Sequence, residues 1–292
     1  MLNKIRNAFT LFELLVAMFI VSILICVLVN AVQNARNLAD KMICQNRLKQ
    51  LGIGLQLYHE TNSVFPPGHR SLPGPQFGRF TGWTCNILPY VDELYLQNEA
   101  IKAFSLQPKP FLSPPHPINI SVPAFTCASD PRVRIPQVAK ISNIQVGLLS
   151  FLGVSGTNFE LKNGILFQDS NIKISEIGDG TSNTLLLGER PPSENFQFGW
   201  WYAGTGQNRT GSCDLILGMK EPNLLPIVPG SPCGPGTYSF GNSKFSDPCG
   251  QFHFWSPHSS GAHFLFADGS VRFFTYDSKN MLESLATRSG ND

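Results

Sequence analysis

Three histidines recur at five-residue intervals near the C-terminus, His253, His258 and His263, with Cys249 before them and Asp268-Gly269 after. Imidazole and thiolate are zinc ligands. A five-residue step alternates faces on a strand and turns off-face on a helix, so no single regular element aims all three rings at one ion. Hard oxygen donors are the other option, and Asp247, Asp268 and Asp277 are the candidate ligands for calcium. These aspartates are scattered rather than gathered in one loop, and turn formation is the simpler reading. In "DGTSNT", Asp179, Thr181, Ser182 and Asn183 could ring a small ligand with side-chain oxygens. The same residue types bond local backbone in Asx turns and at strand entries, which is the preferred reading. Trp200 and Trp201 in "FGWWYAG", with Trp83 and Trp255, offer either a sugar-stacking surface or core filling. "GVSGT" lacks the last glycine of a nucleophile elbow, and neither a zinc-protease helix motif nor a P-loop is present. The chain reads as a non-enzyme without a required cofactor.

The composition points the same way. Of 292 residues only 14% are charged, against about 25% in ordinary soluble domains. The 26 glycines and 22 prolines predict many turns. The net charge is +2, and Lys4 and Arg6 supply both excess charges. A neutral body excludes an electrostatic case for nucleic acid. Seven cysteines are present, one of them, Cys26, inside an apolar run. The other six (Cys44, Cys85, Cys127, Cys213, Cys233, Cys249) suit disulfides in an exported chain, but six cysteines allow fifteen pairings and the sequence chooses none.

The element that must position everything else is at the N-terminus. Leu14 to Val29 carries no charge, and its flanks extend the apolar stretch to about 24 residues, roughly 36 Å of helix. That is enough to cross a bilayer core of about 30 Å. Lys4 and Arg6 precede it and predict a cytoplasmic N-terminus with the rest outside. The run is longer than the core of a secretory signal, and Glu13 sits at its start, where a carboxylate is costly without a partner. After Val32, a stripe of Ala35, Leu38, Met42, Leu48, Leu51, Leu55 and Tyr58 continues the helix to about residue 60, where "VFPPG" stops it. Gly52 and Gly54 should weaken it locally.

"AFTLFELL" resembles the processing motif of type IV prepilins and type II secretion pseudopilins. The resemblance implies a leader over residues 1–8, cleavage by a prepilin peptidase between Ala8 and Phe9, and N-methylation of Phe9. It also implies that Glu13 offsets the terminal amine of a neighbouring subunit during assembly. The family pattern has glycine before the cut, and here Ala8 takes its place. A second resemblance covers nearly the whole chain. His258, nine residues, then Asp268-Gly269 is similar to the H-x9-D-G signature of the DUF1559 family of prepilin-like proteins. "CQNRLKQLGIGLQLYHE", "FPPG", "GWTCNILPYVDELYLQN", "FTCASDP", "DGTSNTLLLGER" and "WSPHSSGAHFLFADGSVRFF" agree with it in order.

The resulting expectation is an α+β, pilin-like fold: a transmembrane helix over 9–32, its extracytoplasmic half over 33–60, and a head over 61–292. Short apolar runs between turn residues predict an antiparallel sheet ending in a hairpin over 262–275. If Asp268-Gly269 is a two-residue turn, Phe266 faces Val271 and Phe264 faces Phe273. Residues 92–100 predict a short helix, and 204–250 an irregular insertion stapled by two of Cys213, Cys233 and Cys249. The expected role is a membrane-anchored structural subunit that packs against itself or other pilin-like subunits through its N-terminal helix. The rival, which a solute-binding label on the family also implies, is a membrane-tethered head that captures a solute or glycan.

Overall fold

The computed structural model describes residues 11–224 and 233–290. One helix dominates: α1, Leu11–Asn62, 52 residues long, roughly 78 Å at 1.5 Å per residue. Every residue from Leu11 to Leu38 is exposed, and the most apolar window has a mean hydropathy of 2.9 with none of it buried. Low in the helix the pattern reverses, and Cys44, Leu48, Leu51, Gly52, Gly54 and Leu55 are buried on the head. Their spacing keeps them on one face. By transfer, the three leucines contribute roughly 1.5–3 kcal/mol each. The buried stripe begins at Cys44: Leu38 and Met42, expected on it, point to solvent. Lys41 and Arg47, which are not part of the stripe, also reach the head. Lys41 Nζ lies 3.3 Å over the Phe273 ring and Arg47 donates to Thr126 O at 2.8 Å. The helix closes at Ser63, whose φ of 62° is left-handed and whose N–H returns to His59 O.

The head follows as α2 (Trp83–Ile87), α3 (Leu94–Leu106), β1 (Gln137–Val138), β2 (Gln145–Val146), β3 (Phe151–Val154), β4 (Leu185–Glu189), β5 (Ile216–Leu217), β6 (Lys220–Asn223), β7 (Gly236–Ser239), β8 (Gly261–Phe266), β9 (Val271–Thr275) and α4 (Lys279–Leu285). The main sheet has the order β5-β3-β4-β8-β9. It is antiparallel except that β5 runs parallel to β3. Strands β4 and β8 are buried along their whole length. Buried on both faces, they read as continuous apolar runs rather than alternating ones.

Helix α1 lies on one face of β8. A Cβ on Gly52 would sit 2.7 Å from Leu265 Cδ1, so this glycine is where the backbone of α1 approaches the sheet rather than a mere weak point. The opposite face holds Phe264 against Phe240, Phe254 and Phe274 at ring separations of 5.4–6.0 Å.

The hairpin departs from expectation by one residue. Leu265 faces Val271, Phe264 faces Arg272 and His263 faces Phe273. Only Gly269 has a positive φ, 83°, and Phe266 N–H bonds Ser270 O while Gly269 N–H bonds Phe266 O. This is a three-residue loop with a glycine bulge, not a two-residue turn. On β8, Leu265 meets the helix at Gly52, and His263 shares its face by strand alternation.

Two disulfides are present. Cys44–Cys127 bolts α1 to the "FTCASDP" loop, and Cys233–Cys249 staples the irregular insertion. Cys213, offered as a partner in that staple, is a buried free thiol, as is Cys85.

Candidate functional site

The family signature converges on a side chain outside it. Strand β4 reads "LLLGE", and its last residue, Glu189, is 1% exposed. Gly188 lets β4 pass under two rings: a Cβ there would meet Phe264 Cε1 at 2.5 Å and Phe254 Cδ1 at 2.7 Å. The Glu189 carboxylate is then flanked by β8 and by the segment that enters it. His258 Nε2 lies 3.2 Å from Oε1, and His263 Nδ1 lies 3.3 Å from Oε2. The backbone N–H of His263 also donates to Oε2 at 2.7 Å. Burial pushes the Glu189 carboxyl up, but hydrogen bonds from the two histidines and their charge outweigh it and hold it at about 2. His258 Nε2 also faces Cys127 Sγ at 3.7 Å, and its other nitrogen lies 3.5 Å from Ser129 Oγ. The signature histidine therefore ties β4, β8 and the helix-linking disulfide together. Chemically, the cluster is a buried carboxylate-imidazole network with two sulfur atoms at its edge.

His253 stays apart from this cluster and stacks on Tyr238, 6.4 Å away at 7°. Asp268, the other end of the signature, bonds Ser270 N–H at 2.8 Å within its own loop. Asp247 accepts from Cys249 N–H and Ser243 Oγ, and Asp277 sits in the short turn Tyr276–Ser278 before α4. Among the described residues these three aspartates do not gather into one donor set; the one set of metal-ligating groups is Cys44, Cys127, Glu189 and His258.

The loop over residues 179–184 braces the hairpin. Thr181 O accepts from Asp268 N–H, Thr184 O from Ala267 N–H, and Ser182 O from the Arg272 guanidinium. Asn183 donates to Asp179 O, and Asp179 accepts from Gly290 N–H. Three of these acceptors are backbone carbonyls engaged by the hairpin, and the Asn183 amide and the Asp179 carboxylate are likewise bonded within the protein. Trp200 and Trp201 are buried, donating to Phe196 O and Ile120 O. They pack with Phe111 and Phe125, as core residues. The residues missed in the sequence were Glu189, Cys44 and Cys127. A signal existed for Glu189, a carboxylate placed directly after an apolar strand run, but its partners lie 69 and 74 residues away.

At the N-terminus, Ala8 and Phe9 lie outside the described residues, and Glu13 falls in the first turn of α1. Comparison with known proteins gives two family matches. The prokaryotic N-terminal methylation motif matches residues 3–28. The family described as a protein of unknown function (DUF1559) matches residues 33–279. No curated protein and no solved structure matches. The motif and the one long apolar helix among the described residues make this a membrane-anchored, single-pass, pilin-like protein, open to processing by a prepilin peptidase. With its body matched almost end to end, the chain belongs to the DUF1559 family of prepilin-like proteins.

Proposed function

We propose that this protein is a subunit, or minor subunit, of a type IV pilus-like or type II secretion-like assembly. One observation carries the reading: a methylation motif over residues 3–28 runs into a single helix whose first half is wholly exposed and whose second half is bolted to the head. Such a rod has to bury its apolar half elsewhere, first in lipid and then against other rods. Cleavage before Phe9 creates an amine at the membrane face, and Glu13 of one subunit meets the amine of the next. Opposite charges in a low-dielectric setting attract strongly when paired. The head lies outside the cytoplasm, and the role is structural rather than enzymatic. Glu13→Ala should abolish recovery of the protein in sheared filaments while leaving its membrane level unchanged. Unchanged recovery would remove assembly as the purpose of Glu13.

A second reading keeps the helix as a tether for a solute- or glycan-binding head. The observation in its favour is a polar cavity of about 310 Å³ beside the end of α1, lined in part by Tyr58, Arg70, Asn86, Tyr90 and Gln97. Against it, the tryptophans that would stack on a sugar are in the core.

A further inference from the structure

We propose that Cys44, Cys127, His258 and Glu189 form a zinc site when the Cys44–Cys127 disulfide is opened by a dithiol reductant. One donor atom from each lies within 4.8 Å of all the others, and all four residues are buried. In a tetrahedral zinc site, bond lengths of about 2.0–2.3 Å put neighbouring donors roughly 3.3–3.8 Å apart. Two edges already have this length: His258 Nε2 to Glu189 Oε1 at 3.2 Å, and His258 Nε2 to Cys127 Sγ at 3.7 Å. The bonded sulfurs must separate to the same spacing, and every other pair already lies within 4.8 Å.

The atoms around the donors are those a metal site needs. Glu189 Oε2 is held by His263 through its backbone N–H and Nδ1, which leaves Oε1 to bind. Ser129 Oγ faces His258 Nδ1 and can accept a hydrogen bond from a proton held there. Ala128 N–H points at Cys44 Sγ from 3.1 Å and would steady a thiolate. A solvent-open cavity of about 320 Å³, lined in part by Asp40, Lys41, Ser129 and His258, supplies an entry path.

The chemistry balances. The dithiol loses two electrons and two protons and becomes a disulfide, leaving Cys44 and Cys127 as thiols. Zn²⁺ then displaces both thiol protons to solvent. The His258 proton moves from Nε2 to Nδ1, so that Nε2 offers its lone pair. Disulfide plus carboxylate, and zinc plus two thiolates and carboxylate, carry the same single negative charge. Either bond holds α1 on the head, so the helix stays clamped in both redox states.

The test uses the full-length protein in detergent, reduced anaerobically with a phosphine, freed of reductant and titrated with Co²⁺. The reduced protein should bind one equivalent with tetrahedral visible bands and a thiolate-to-cobalt charge-transfer band, all displaced by Zn²⁺. The oxidised protein should show neither. His263→Ala leaves every ligand in place and should weaken Co²⁺ binding about 10–100-fold. A charge-transfer band missing from the reduced protein, or undiminished in Cys44→Ser/Cys127→Ser, would overturn the site. X-ray absorption of the zinc-loaded native chain needs no variant: two sulfurs with one imidazole support the assignment, and four sulfurs or none defeat it.

Discussion

His258 Nε2 lies 3.2 Å from Glu189 Oε1, inside the protein, although the two residues are 69 positions apart in the chain. This contact joins the signature at the C-terminal hairpin to the end of "LLLGER" on β4. Removing the carboxylate from this buried network leaves both imidazoles without their acceptor, at about 1–3 kcal/mol each. Glu189→Ala should therefore lower the stability of the head by that order, read as a shifted denaturant midpoint with an unchanged slope. A loss below about 1 kcal/mol would mean that the network contributes little.

Gly188, one residue earlier, has no room for a side chain. The rings of Phe264 and Phe254 are packed on both sides and cannot swing away as a flexible chain would. Gly188→Ala should cost roughly 1–3 kcal/mol through overpacking. Thermal unfolding of the variant against the wild type checks it.

The Cys44–Cys127 bond spans 83 residues and joins helix to head. On the chain-entropy account a loop of this length contributes roughly 4–5 kcal/mol. Cys127→Ala in metal-free protein should lose most of that in denaturant titration. Limited proteolysis should also cut within residues 33–62, where α1 would no longer be clamped.

His69 offers a pH handle away from this cluster. It is fully buried, its Nε2–H donates to Gly204 O, and burial lowers its pKa to about 4. The unfolded chain, with an ordinary histidine near 6.5, binds the proton more readily. Stability from neutral His69 is thus complete above about pH 6.5 and is lost as pH falls through 4. Asp214 and Glu221, raised by burial to about 7, act in the opposite direction over the same range. The informative quantity is the difference between wild type and His69→Gln. The wild type should lose about 3 kcal/mol relative to the variant between pH 6.5 and 4. Parallel pH curves would contradict this.

How much of this was legible depended on how local each cause was. The rod was readable because an uncharged run such as Leu14–Val29 and a start such as "AFTLFELL" are local signals. The hairpin was readable as a hairpin, but its register was not. Asp268-Gly269 looks like a two-residue turn, and only the φ of Gly269 together with the Phe266–Ser270 bond reveals three residues. The side of α1 that meets the head was displaced for the same reason. Cys44 and Gly52 mark that side only once Cys127 and Leu265 are beside them. Glu189 was hidden because a strand-ending carboxylate reads as solvated until two distant histidines close over it.

The central claim is that the N-terminus is processed as a prepilin and the helix is kept. Intact-mass and N-terminal peptide analysis of the membrane-extracted protein tests it most directly. The account predicts a chain that begins at N-methylated Phe9 and retains the whole of α1. A chain that begins at Val32, or one that still carries Met1, would contradict it.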